Sequence, residues 1–312
     1  MIRALVALLL LAVAPAQAAW PERPFRLIVG YAPGGSTDII ARTVADGIGQ
    51  RLGQQVVVEN RGGAGGVPAA AVAVQNEPDG YTLVLHTQGL NQGAAVGTRM
   101  PFHPVDSWAP IGLAATGANA LMIHPSIPVH SMRELQAWVR ASGQPLRFGT
   151  PGIGLSSAVF AQGMEVEMEE IRYRGTSAAL ADLLAGRVHA YTIALAGVLP
   201  YVQSGQLRAL AIAGPRRSRA MPELPTTAEA GFPSVIMVSW FGLVTLAGTP
   251  EDRVTALFNA LNATLADPVA REKLEAAGLD VDPSTSPRQF GAMYRTDYDR
   301  WMDVSRRQGW TR

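Results

Sequence analysis

Cysteine is absent from the 312 residues. No disulfide, thiol nucleophile or cysteine-based metal site can form, so stability has to come from an apolar core. Excess charge is missing too: the formal net charge is +1, whereas nucleic-acid proteins normally present a basic face. Lys273 is the only lysine, which leaves no G-x-x-x-x-G-K-[ST] phosphate loop. A G-x-G-x-x-G fingerprint at the first turn and a G-x-S-x-G nucleophile elbow are also lacking. The five histidines, His86, His103, His124, His130 and His189, show neither H-x-x-x-H nor H-E-x-x-H spacing. No pair of carboxylates stands out for acid–base work. These absences exclude nucleotide binding, a metal, a cofactor and an enzymatic activity from the expected functions.

Long apolar runs are scarce, with one exception at the start. MIRALVALLLLAVAPAQAA has an early Arg3, an apolar stretch from Ala4 to Ala14, a break at Pro15 and Ala16-Gln17-Ala18. This is the layout of an export signal with an A-x-A cleavage site, too short for a comfortable membrane span. Residues 1–18 are read as a cleaved signal peptide and the mature chain as exported to the periplasm. No later segment approaches 18 uninterrupted apolar residues.

The mature chain alternates strand and helix signals. RLIVGYA, QVVVEN and YTLVLHT read as buried strands separated by glycine-rich loops and apolar helical stretches. A second α/β region begins near His124, where Ser131 and Glu134 form a capping-box pattern. LRFGT, IRYRG, VHAYTIAL, LRALAIAG and SWFGLVTLA supply further strands, and Ser286-Pro-Arg-Gln289 opens the last helix. Alternation of this kind predicts an α/β fold with parallel strands and crossover helices. The two halves echo one another in VGYAPGGST and RFGTPGIGLSS. Each is a strand, a Pro-Gly turn and hydroxyl residues opening a helix.

In PGGSTD the glycines allow main-chain approach without Cβ interference, and the first amides of a helix lack intrahelical acceptors. Ser36 and Thr37 add hydroxyl donors. Such a loop suits a carboxylate recognised by geometry, but for a single loop an ordinary βα turn with Ser36 or Thr37 as N-cap is the favoured reading. Its partner at PGIGLSS favours a site at the carboxyl ends of the strands.

The stretches WPERPFRLIVGYAPGGSTDIIAR, RLGQQVVVENRGGAGG, EPDGYTLVLHT, YRGTSAALADLLAGRV and SWFGLVTLAGTP resemble the Bug-type periplasmic receptors of tripartite tricarboxylate transporters. The resemblance runs in order through nearly the whole mature chain. It implies a two-lobed, type II periplasmic-binding-protein fold with a ligand cleft between the lobes. One lobe would comprise residues 19–123 plus 240–312, the other residues 124–239. It further implies a monomeric receptor that captures a small organic carboxylate and hands it to integral-membrane permease subunits. An extracytoplasmic sensor feeding a signalling protein would share the same fold and cleft.

Carried over residue by residue, the carboxylate-holding loops are Tyr31, Ala32, Pro33, Gly34, Gly35, Ser36, Thr37 and Asp38, and Thr150, Gly152, Ile153, Gly154, Ser156 and Ser157. The strand-end loop maps to Thr87, Gln88 and Gly89, and the YKG motif to Tyr173, Arg174 and Gly175. The pocket aromatic of SWFG maps to Trp240, which by its setting alone is equally compatible with plain core. Ala158 stands where relatives often carry histidine, and the segment from Ala158 to Tyr173 is a few residues short. Ile193 replaces an acidic residue that can meet a ligand's amino or hydroxyl group. This departure argues against an amino acid and for an amine-free acid, dicarboxylic or aromatic.

Overall fold

The computed structural model describes residues 20–151, 155–173 and 176–310. The expected signal peptide, Gly152, Ile153, Gly154, Arg174 and Gly175 lie outside the described residues. Two sheets organise the chain. The first runs β11-β4-β10-β3-β1-β2, built from β1 (Phe25–Val29), β2 (Val56–Asn60), β3 (Thr82–Thr87), β4 (Trp108–Gly117), β10 (Ser239–Leu246) and β11 (Leu279–Asp280). The second runs β7-β6-β8-β5-β9, from β5 (Asn119–Ile123), β6 (Leu146–Pro151), β7 (Met168–Tyr173), β8 (Ala190–Ala194) and β9 (Arg208–Ile212). β1 pairs in parallel with β2 and β3, and β6 with β7 and β8, while β10 and β5 run antiparallel to both their neighbours. Each sheet is thus an α/β core closed by an antiparallel strand.

Both faces of the first sheet are covered, and the sequence of β1 shows how. Phe25, Leu27 and Val29 point into a core filled by Ile40, Val44 and Ile48 of α1 (Ser36–Leu52) and by Leu257 and Leu261 of α8 (Glu251–Ala266). Ile28 points the other way, toward Val84, Trp108, Trp240, Phe290 and Tyr294. A strand that alternates sides must be apolar throughout when helices cover both faces.

The remaining helices are α2 (Val67–Ala73), α3 (Gln88–Ala95), α4 (Met132–Ser142), α5 (Leu155–Met164), α6 (Thr176–Leu184), α7 (Leu199–Gln203), α9 (Pro268–Ala276) and α10 (Pro287–Gln308). Local chemistry fixes several of their ends. The Ser131 hydroxyl accepts from the Glu134 amide, and the Ser286 hydroxyl from the Gln289 amide at 3.1 Å, satisfying donors that a helix start leaves open. α1 stops at Gly53, whose φ of +70° is a left-handed cap.

Two segments carry the chain between lobes. β4 leaves the first sheet at Gly117, and β5 enters the second at Asn119, so the crossing is Ala118. The return crossing reaches β10 through Met237 and Val238. The lobe boundary expected after Ile123 is therefore corrected: Asn119–Ile123 is a strand of the second sheet, paired with β8 and β9. The last helix is likewise not confined to the first lobe. Phe290 and Tyr294 lie in the first lobe's core, while Trp301 and Val304 lie in the core formed by Leu121, Phe148 and Phe160 of the second. Asn119–Ile123 is not among the strands read from the sequence, and its place between β8 and β9 is set by the sheet.

Asn119 ties the two crossings together. Its side-chain amide donates to the Met237 carbonyl at 2.7 Å and lies 3.0 Å from the Ser239 hydroxyl. On the other face, Arg216 pairs with Asp282, and Arg219 with Glu275 at 3.0 Å, joining a second-lobe loop to α9 and the segment after β11.

Candidate functional site

Between the lobes, at the carboxyl ends of the parallel strands, lies a cavity of about 280 Å³. The first lobe contributes Tyr31, Gly65, Gln88, Gly89 and Gln92, the second Thr150, Leu155, Ser156 and Thr192, and the crossings Asn119, Met237 and Ser239. The described wall residues are neutral.

The first-lobe wall rests on glycine. A Cβ on Gly30 would meet the Gly66 Cα at 2.4 Å, so the end of β1 and the loop Arg61–Gly66 approach backbone to backbone. Gly65 itself has a φ of +66° and packs on the Gly89 carbonyl. Above this floor the Tyr31 hydroxyl lies 2.9 Å from the Thr87 Oγ1, and Oγ1 also accepts from the Gly89 amide at 3.2 Å as the cap of α3. Burial raises the Tyr31 phenol above its ordinary pKa, so it stays neutral. Gln88 bridges to the crossing: its amide group donates to Ser239 Oγ at 3.2 Å, and its Oε1 accepts from the Trp240 amide at 3.1 Å.

Two helix starts therefore meet at the cavity, α3 through Gln88 and Gly89 and α5 through Leu155 and Ser156. The pair expected from the sequence was α1 and α5. Ala32, Pro33, Gly34, Gly35 and Ser36 are instead exposed and stand outside the cavity wall. Asp38 explains the turn. Its carboxylate accepts from the Gly34 amide at 3.0 Å, from Asn60 at 3.0 Å and from Arg42 at 2.9 Å. Asp38 and Thr37 are buried, and the Arg42 guanidinium above all holds the Asp38 carboxyl below its usual range. Asp38 braces the loop rather than facing the cavity. The amides of Ser36 and Thr37 meet no protein acceptor among the described residues.

Three further expectations are corrected by side-chain direction. Ile193 is buried in the second-lobe core, and its neighbour Thr192 faces the cavity. Trp240 is also core, and Ser239 takes the wall position. Alternation along a strand makes a one-residue error a change of face. Tyr173 donates its hydroxyl to Asp182 at 2.7 Å and lies outside the wall. Ser157 reaches Glu170 at 3.3 Å. Gly65 and Gln92 were not expected, yet each has a sequence signal: one sits in the second glycine-rich loop, the other one helical turn after Gln88. Asn119 and Met237 have none, because their position comes from the crossings.

Behind the wall, His86 is fully buried between Trp240, stacked at 5.3 Å, and Tyr294 at 5.4 Å, with Nε2 at 3.0 Å from the Pro104 carbonyl. Burial pushes its pKa down to about 4. A histidine held neutral in the fold but free to charge when unfolded stabilises fully above its ordinary pKa. That contribution is lost as the pH falls toward the folded value. We expect a His86-linked loss of about 3 kcal/mol between pH 6.5 and 4. Urea titrations across that range check it, with His86→Gln as the variant that removes the dependence.

Comparison with known proteins agrees with this architecture. The model for the tripartite tricarboxylate transporter family receptor matches residues 40–309. BugT of Bordetella pertussis is 32% identical over 296 residues, covering 93% of this chain and 90% of that protein. The adipate-bound structure of Rpa4515 from R. palustris superposes with a TM-score of 0.78 at 31% identity, covering 93% of this chain and 98% of that one. The malate-bound structure of MatC from Rhodopseudomonas palustris gives 0.75 at 27% identity, covering 92% and 100%. Among the described residues no helix is long and apolar enough to cross a membrane. With two sheets joined by two crossings around one neutral cavity, and a family match along most of its length, this chain belongs to the tripartite tricarboxylate transporter receptor family, which comprises solute-binding receptors rather than enzymes.

Proposed function

We propose that the protein captures a small organic carboxylate in the periplasm and delivers it to a tripartite tricarboxylate-type permease. The observation that carries this reading is the meeting of two helix N-termini, α3 and α5, at one interlobe cavity. Helix starts present open amides and the positive end of the helix dipole, and so hold anions without a charged side chain. Gly65 and Gly89 let the main chain come close on the first-lobe side. Thr150 and Ser156 face the ligand from the second lobe. Hinge motion about Ala118 and Met237–Val238 then brings the Ala32–Ser36 loop, with its open amides at Ser36 and Thr37, over the cleft mouth. Acid ligands in the similar structures, adipate and malate, support this ligand class.

A thermal-shift screen against mono-, di- and tricarboxylates tests the reading. A ligand at 100 times its Kd stabilises the folded state by about 2.7 kcal/mol, which at this chain length is a rise of roughly 5 °C in Tm. No shift with any acid would remove the proposal. Loss of uptake of the identified acid on gene deletion, restored by the wild-type gene, separates delivery to a permease from sensing.

A further inference from the structure

Within the second-lobe wall two hydroxyls stand out. Thr150 is only 2% exposed, Thr192 is half-buried, and the Oγ1 atoms of both are enclosed without a hydrogen-bond partner. Both residues line the cavity. Their relation comes from the sheet register. β6 and β8 are parallel neighbours with Phe148 opposite Ala190 and Gly149 opposite Tyr191, and Thr150 and Thr192 are the next residue on each strand. Phe148 and Ala190 share one core cluster, and residues two further along a strand return to the same face. The threonines therefore lie on one face of neighbouring strands, one position past the last paired rung. They sit where that core ends and the cavity begins. By contrast the Tyr31 and Ser239 hydroxyls of the wall already have protein partners.

We infer that Thr150 and Thr192 form a subsite for a hydroxyl group on the ligand, and that the preferred ligands are hydroxylated carboxylic acids. The inference rests on the carboxylate reading above and specifies the ligand class. A hydroxyl group both donates and accepts. Two threonine hydroxyls, each free to rotate, can give one bond to it and take one from it. An acid that carries a hydroxyl group supplies the partner that both enclosed Oγ1 atoms lack, and an acid without it leaves them unpaired as they already are, so the preference comes from the bonds gained. The carboxylate itself is left to the helix starts.

Calorimetric titration with matched acids tests this: lactate against propionate, malate against succinate, 3-hydroxybutyrate against butyrate. The hydroxylated member of at least one pair should bind about ten-fold or more tightly. In a Thr150→Val/Thr192→Val variant, close in volume but lacking both hydroxyls, the preference should fall to within about two-fold. Thr150→Ser/Thr192→Ser should restore it. Circular dichroism confirms that the variants are folded. Equal binding of both members of every pair, or a preference that survives in the valine variant, overturns the subsite while leaving carboxylate capture standing. Failure of all six acids and of the wider screen removes both readings together.

Discussion

Replacing Gly89 by valine is expected to abolish binding of any acid that the wild-type protein holds, with a loss of at least about 100-fold in affinity. A Cβ at this position would lie 2.6 Å from the Tyr31 hydroxyl oxygen and 2.7 Å from the Gly65 carbonyl oxygen. The Gly65 oxygen belongs to a loop that cannot retreat, because Gly66 is pressed against Gly30. Tyr31 must then leave its partner Thr87 and swing into the cavity, occupying ligand space. The start of α3 shifts with it. Overpacking of this sort costs about 1–3 kcal/mol of stability, which a chain with cores on both faces of two sheets tolerates. Titration calorimetry on the folded variant reads the result, and wild-type affinity would mean that the ligand sits away from this floor. The same substitution at Gly197, where an added Cβ meets nothing within 4 Å, should leave binding within about two-fold.

Trp240→Ala should be among the most damaging single substitutions for folding, destabilising by about 3–5 kcal/mol. The indole is 3% exposed and packs on His86, Phe290 at 5.9 Å and Tyr294 at 6.2 Å, with Nε1 donating to Asp297 at 3.1 Å. Removing it opens a cavity and strips one donor from a carboxylate that also receives Asn91 and Arg300. Trp240→Phe keeps most of the packing, loses the one hydrogen bond, and is expected to hold ligand affinity within about two-fold. A ring that contacted ligand would behave differently, with Phe impairing binding while stability stayed near wild type. Urea unfolding and ligand titration on the two variants distinguish these outcomes.

Much of the architecture is legible in the sequence because it is written locally. Capping at Ser131 and Ser286, the left-handed stop at Gly53 and the apolar β1, β3 and β10 all arise from residue chemistry within a few positions. The wall of the site is less legible. Gln88 and Gly89 come from the family resemblance alone, whereas Thr150 and Ser156 are also marked by the second strand–turn–helix loop, PGIGLSS. Ile193 and Trp240 fail because a strand end does not declare its phase: their neighbours Thr192 and Ser239 are the residues that line the cavity. The exposed position of Gly34–Ser36 depends on Asp38 reaching back to Gly34 and across to Asn60, a tertiary arrangement with no short sequence pattern. Asn119 owes its place wholly to the crossing of the chain between sheets.

The C-terminal helix also has a thermodynamic meaning. A rod of 22 residues whose first turns complete one lobe and whose last turns complete the other makes each lobe a template for its partner. Loss of either core frees roughly half of the 22-residue helix, and a freed piece of that length is marginal in water. The lobes therefore melt as one cooperative unit, and calorimetry should show a single endotherm with equal calorimetric and van't Hoff enthalpies. The two lobes are in this sense unable to come apart by halves.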